Sequence, residues 1–307
     1  MKKRSFFSNL KAYMPFYVMA LPGIIYLLCN NYLPMSGIVI AFKNLNFRKG
    51  LFLSDWCGFD NFKFLFASKD AWIITRNTLL YNGAFIILTT VLAIAVAILL
   101  NEVRNKIASR VYQTTILLPY LMSWVIISYL ANAFLAADTG LINNSILIPL
   151  GYEPISWYNS KQYWPVILTI VHLWKAIGYA MIVYLSSVVG ISQDYYEAAH
   201  IDGATKWKQI KHITLPLLMP TVITMFVLQI GRIFYSDFGL FYQVTRNSGP
   251  LYSVTRTIDV YVYNALMKNS DFGMSSAASV YQSIVGFVLI MAANGVVRKL
   301  SKENALF

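Results

Sequence analysis

Six stretches of this chain are apolar for about 20 residues each, which is the length a helix needs to cross about 30 Å of hydrocarbon. They lie near Tyr13–Leu33, Tyr81–Leu100, Tyr112–Leu135, Tyr163–Val189, Leu217–Tyr235 and Ser276–Val297. Inside a bilayer every backbone N–H and C=O must find its partner within the protein, so only helices and closed barrels can span it. No barrel-type alternation is sustained anywhere in the sequence. The reading is therefore all-α: a polytopic membrane protein of about six transmembrane helices. Composition agrees, because only 12% of the 307 residues are charged, against about 25% in a soluble domain. That length suits one membrane domain over residues 13–299, with short tails at 1–12 and 300–307.

Met1-Lys2-Lys3-Arg4 reads like the basic start of a signal peptide. The apolar run behind it continues to about Leu33 without a small-x-small cleavage site, so an uncleaved first span is expected. Basic residues set the orientation. Lys2, Lys3, Arg4 and Lys11 precede the first span, and Arg104, Lys106 and Arg110 follow the second. Lys206, Lys208 and Lys211 lie between the fourth and fifth, and Arg298, Lys299 and Lys302 follow the sixth. In a six-span arrangement all four groups fall on one side, which reads as cytoplasm and places both termini there. The formal net charge is +12. The charges are scattered over short loops and form no basic face, which argues against nucleic acid and for loops beside an anionic leaflet. Cys29 and Cys57 have no metal-ligand spacing and no reason to pair.

Two segments expected on the outer side are more than turns. Gly58–Lys69 is rich in phenylalanine and reads as a filler at the membrane surface. Ser236–Ser275 is polar and aromatic, and too long for a simple connection.

Between Gly190 and Pro216 the chain carries a charged, helix-forming insert on the basic side. Asp194 with Glu197 three residues on reads as an N-cap and capping box. Gly203 can end that short helix in the left-handed region. Ala204 to about Ile213 then reads as a second short helix, giving an elbow on the surface. A bland reading has Glu197 capping, Ala198 and Ala199 favouring helix and Gly203 turning. The functional one has small residues admitting a partner's groove to the backbone.

Glu197-Ala198-Ala199, three residues, Gly203, nine residues, then Ile213-x-Leu215-Pro216 resembles the signature loop of ATP-binding-cassette importer permeases, with no departure in spacing. The resemblance implies a type I ABC importer permease (MetI-like) fold. It makes this loop the coupling helix, seated in a cleft of the ATP-hydrolysing subunit, with Asp202 among its residues. A non-catalytic subunit is implied. It binds no cofactor itself, and ATP and magnesium sit in the partner subunits. The chain indeed has no Gly-x-x-x-x-Gly-Lys-Ser/Thr phosphate loop. The implied partners are a second, different permease, two ATP-binding subunits and an extracytoplasmic solute-binding lipoprotein, at a bacterial cytoplasmic membrane.

Shorter motifs resemble the carbohydrate branch associated with complex oligosaccharides. They are Tyr32-Leu33-Pro34-Met35 with Gly37 to Lys43, Ser54, Trp56, Gly58, Asn61-Phe62, Asn77-Thr78-Leu79, Leu118-Pro119-Tyr120 with Trp124, Thr139 to Asn144 and Trp174-Lys175. The implied substrate is a saccharide. Gly231 to Gly239 departs from the common pattern by carrying Arg232, Tyr235 and Asp237.

Sugars call for planar hydrogen-bonding groups and aromatic faces, and Trp124, Gln229, Arg232, Tyr235 and Asp237 supply them near one expected mouth. Aromatic residues also belong at membrane interfaces for their own sake. Lys175 falls near the middle of the fourth span, where a charge costs about 2.5–3.5 kcal/mol. It therefore faces a cavity and substrate, or forms a structural pair, for instance with a second subunit. Other classes fit less well. An intramembrane enzyme would draw on His172, His200, His212, Asp194 and Asp202, yet no His-Glu-x-x-His or Ser/His arrangement appears. A stand-alone secondary transporter would show inverted repeats or several buried carboxylates, and neither is found. A permease for a non-sugar solute is the nearer alternative.

Overall fold

The computed structural model describes residues 13–63 and 69–300, with only the backbone at Val296, Lys299 and Leu300. The basic N-terminal group, Lys302 and residues 64–68 of the phenylalanine-rich segment lie outside that description. The first helix, α1 (Met14–Phe42), runs past the expected end at Leu33, with a wide turn at Leu28–Tyr32 and a tight one at Ser36–Phe42. Hardly any of it is buried within this chain. A two-residue hairpin follows, β1 (Lys43–Asn44) against β2 (Asp55–Trp56), antiparallel. Phe42, Phe59 and Phe62 cluster beside it, with ring centroids 5.3–5.7 Å apart. Cys29 and Cys57 are both free.

Helix α2 (Lys69–Asn101) begins twelve residues before the expected second span. It packs most extensively on α5 (Trp164–Val189). Ala93, Ala97 and Ala180 are buried at that seam, and such small side chains let helix backbones approach in a membrane.

The expected third span, Tyr112–Leu135, is not one helix. It divides into α3 (Lys106–Leu121) and α4 (Trp124–Leu135), bent by 97° at Met122–Ser123. Sixteen residues make α3 about 24 Å long, most of the hydrocarbon thickness, and α4 then turns across. Pro119 weakens the last turn of α3 by removing an N–H. Ser123 caps α4, its Oγ accepting from the Ile126 N–H at 3.3 Å. Apolarity alone gives no sign of the bend, because the apolar run continues from Ile116 through Met122 and Trp124 into the second arm.

The short helix α6 (Gln193–Ile201) leads into α7 (Lys206–Ile230). The expected second elbow helix is therefore not a separate piece. It starts at Lys206, capped by Thr205, and continues into the fifth span through a wide turn at Ile210–Thr214. Pro216 lacks an N–H and crowds the carbonyl four residues back, and a widened turn before it lets the helix run on. Lys206 pairs with Glu102 at 3.0 Å, so this elbow lies at the same end of the bundle as the α2–α3 connection.

Beyond α7 the long segment is structured rather than loose. Leu240, Phe241, Val244 and Leu251 enter the same core as Tyr81, Phe85, Ile127 and Trp164. Helix α8 (Ile258–Asn269) then packs on α9 (Phe272–Leu300), the last long apolar helix. Among the described residues five helices are long and apolar enough to cross a membrane, or six if the bent pair counts as one span.

Candidate functional site

Two places concentrate the residues singled out by sequence. The first is the elbow. Its cap is Ser192, whose Oγ accepts from the Asp194 N–H at 3.3 Å. Asp194 thus sits inside the first turn instead of capping it, and Glu197 is too far along to close a capping box. At the other end Ala204 N–H reaches Ala199 O at 2.8 Å and Gly203 N–H reaches His200 O at 3.0 Å. That double closure needs a left-handed residue at Gly203, whose φ is +73°. The Tyr196 and Thr214 hydroxyls, 2.9 Å apart, tie α6 to α7.

Glu197 and Ala198 face outward, and the Glu197 carboxylate makes no hydrogen bond among the described residues. Ile201 and Trp207 are 85% and 71% exposed. With Tyr196, His200, Lys206 and Gln209, Glu197 and Ile201 border a shallow hollow. Gly203 and Asp202 lie at the exposed turn, while Ile213, Leu215 and Pro216 form the entry to the apolar length of α7.

The second place is a cavity of about 800 Å³ between α2, α5 and the far end of α7. Gln229, Arg232, Tyr235 and Asp237 all line it, so the structure brings these four together. Asn82 holds that wall, its amide donating to Ile233 O at 2.8 Å and Tyr235 O at 3.1 Å. Two stacked ring pairs complete the lining. His172 lies flat on Phe85, with centroids 3.8 Å apart and planes at 6°, and Tyr120 on Tyr179, at 4.9 Å and 16°. Sequence reasoning considered His172 only as an enzyme candidate and passed over Tyr179 and Asn82. Their signal was available: Asn82, Phe85 and Thr89 on α2, and His172, Ala176 and Tyr179 on α5, recur at helical spacing and so share a face.

Trp124 and Lys175 stand behind this lining, not in it. Lys175 Nζ donates to Pro119 O at 3.2 Å, Tyr120 O at 2.9 Å and Met122 O, the carbonyls at the break between α3 and α4. It also sits over the rings of Trp124 (5.1 Å) and Tyr120 (5.7 Å). The partner of this intramembrane charge is thus the backbone of its own chain.

The model of the family described as "Binding-protein-dependent transport system inner membrane component" matches residues 89–302. The chain belongs to this family. Among curated relatives of this permease, Protein LplB of Bacillus subtilis (strain 168) is 34% identical over 288 residues, covering 94% of this chain and 90% of that one. The polygalacturonan/rhamnogalacturonan transport system permease protein YteP of the same organism is also 34% identical over 288 residues, 94% of this chain and 89% of that one. A solved chain of a bacterial ABC transporter involved in import of the acidic polysaccharide alginate superposes with a TM-score of 0.87 at 30% identity, covering 96% of this chain and 99% of that one. A structure of the bacterial alginate ABC transporter with its alginate pentasaccharide-bound periplasmic protein matches equally well, at a TM-score of 0.87 and 30% identity over 97% of this chain and 98% of that one. The fold is that of an importer permease, multi-pass and all-α, as the signature loop implied.

Proposed function

We propose that this permease forms half of the pore of an ATP-driven importer whose cargo is a saccharide. The observation that carries the reading is the elbow: a capped, Gly203-terminated helix that leaves Glu197, Ala198, Ile201 and Trp207 exposed at one end of the bundle. Exposed apolar groups and a carboxylate without a partner fit a surface made to enter another protein's cleft. Two ATP-binding subunits are the occupants we assign to it, on the cytoplasmic side, with ATP and magnesium held there and no cofactor on this chain. A second permease, of different sequence, completes the pore, and a solute-binding lipoprotein delivers cargo at the far end. The permease domain spans residues 13–299, and both termini are cytoplasmic.

The cavity supplies what a sugar requires. Gln229, Arg232 and Asn82 offer planar hydrogen bonding, while the His172–Phe85 and Tyr120–Tyr179 stacks offer flat apolar faces. The relatives' named cargoes, polygalacturonan and rhamnogalacturonan for one and alginate for another, support a saccharide. Closure of the ATP-binding subunits would push the elbow and tilt α5 and α7, its two arms, changing which end of the cavity is open. Nucleotide drives this only through a difference in affinity for the two states.

Reconstitution tests the proposal. Liposomes holding this chain, the second permease and the ATPase should accumulate oligosaccharide only with ATP inside and loaded binding protein outside. Uptake by this chain alone would refute it, as would assembly without any ATPase subunit.

A further inference from the structure

Lys175 sits on α5 about 20 Å from the elbow end of that helix, at a depth where a charge needs a reason. An ammonium has three N–H donors, and here all three go to the carbonyls of Pro119, Tyr120 and Met122. None is left for a sugar hydroxyl or for a carboxylate on another subunit. At the 97° bend Tyr120 O and Met122 O lose their helical donors, while Pro119 O keeps one from the Met122 N–H at 3.2 Å, and in lipid such groups cannot turn to water.

The same ammonium faces the Trp124 ring at 5.1 Å. On the turn that follows α7, the Asp237 carboxylate accepts from the Leu240 N–H at 3.4 Å. Trp124 lies so close to Gly239 that a methyl group there would fall 2.0 Å from the indole Cδ1. One cluster therefore joins three things: the bend between α3 and α4, the middle of α5, and the turn that follows α7. Helices α5 and α7 are the two arms of the elbow, and Tyr120 and Asp237 line the cavity.

We infer that Lys175 is a positioning residue. Its cap locks the bend to both arms, so that displacement of the elbow is transmitted to the cavity walls at Tyr120 and Asp237. This rests on the proposed ATP-driven function, and Lys175 acts through those two residues without touching cargo.

The test uses the reconstituted importer with its loaded binding protein and compares saccharide taken up per ATP hydrolysed. Lys175→Met keeps the length and apolar stem but removes all three donors. It should lower that ratio about tenfold or more while ATP hydrolysis persists, and Lys175→Arg, which restores charge and donors, should recover much of it. A parent-level ratio in Lys175→Met overturns the inference. So does a change confined to the saccharide concentration giving half-maximal uptake, which would make Lys175 a cargo contact. Should Lys175→Met fail to assemble, Gly239→Ala strains the same joint from the opposite side by displacing Trp124, and a parent-level ratio there overturns the inference equally. Absence of ATP-dependent uptake in the parent importer would instead refute the function proposed above.

Discussion

Glu197 and Gly203 lie six positions apart and differ in role as well as place. The Glu197 carboxylate makes no hydrogen bond among the described residues, so removing it should leave stability almost untouched. For Glu197→Ala we expect a thermal midpoint shifted by no more than about 0.5 kcal/mol of stability, together with loss of ATPase stimulation by the loaded binding protein. Gly203 is the reverse case, held at φ +73° by the paired closure onto Ala199 and His200. A β-branched side chain there costs about 1–2 kcal/mol. Gly203→Val should fray α6 and weaken co-purification with the ATPase, read by subunit stoichiometry after gel filtration. The two variants separate the two readings of the signature loop: its glycine serves the fold, and its glutamate faces outward with nothing of its own chain to hold.

At the scale of elements, the segment between α4 and α5 shows how a short motif becomes structure. Asn143 is fully buried. Its amide donates to Ala137 O and Ile155 O, each at 2.9 Å, and its carbonyl accepts from Ile155 N–H at 3.2 Å and the Trp157 indole at 2.9 Å. One side chain thereby closes a connection that has no regular ladder of its own. Asn143→Leu strands several buried polar groups, each worth about 1–3 kcal/mol when left unpaired. A clear fall in thermal midpoint and a red-shifted, more quenchable tryptophan emission should follow. The Thr139–Asn144 motif was visible in the sequence as a resemblance only. What it does became visible once Ile155 and Trp157, a dozen residues on, were brought beside it. Similarly, the length and apolarity of α7 were legible, but its continuity with the elbow was not. Lys206 to Ile213 is polar and reads as a separate short helix, and the chain stays helical through the junction with the span because the wide turn admits Pro216.

At the scale of the whole molecule, the cavity draws its walls from α2, α5 and the end of α7, with lining residues that range along the chain from Asn82 to Asp237. If it carries cargo, Gln229→Ala and Arg232→Ala should each lower saccharide uptake by about tenfold in the assembled importer. That is the effect of losing roughly one hydrogen bond to a charged or polar partner. Basal ATP hydrolysis and assembly should be unchanged, because neither residue lies near the elbow. Parent-level uptake in both would remove the cavity from the transport path.

The sequence by itself determined the class of fold and the membrane as solvent, because six apolar runs of spanning length leave the backbone no alternative to helices. It also marked the elbow, since a coupling surface is built from consecutive residues and keeps its spacing in one dimension. Tertiary structure alone decided the bend between α3 and α4, the duty of Lys175 and which faces of α2 and α5 meet the end of α7 at the cavity. Hydropathy is indifferent to direction, so a helix that turns inside the bilayer reads like one that crosses it. A buried charge also declares only that it needs a partner. Which carbonyls those are depends on how α5 packs on α3, which no local pattern records.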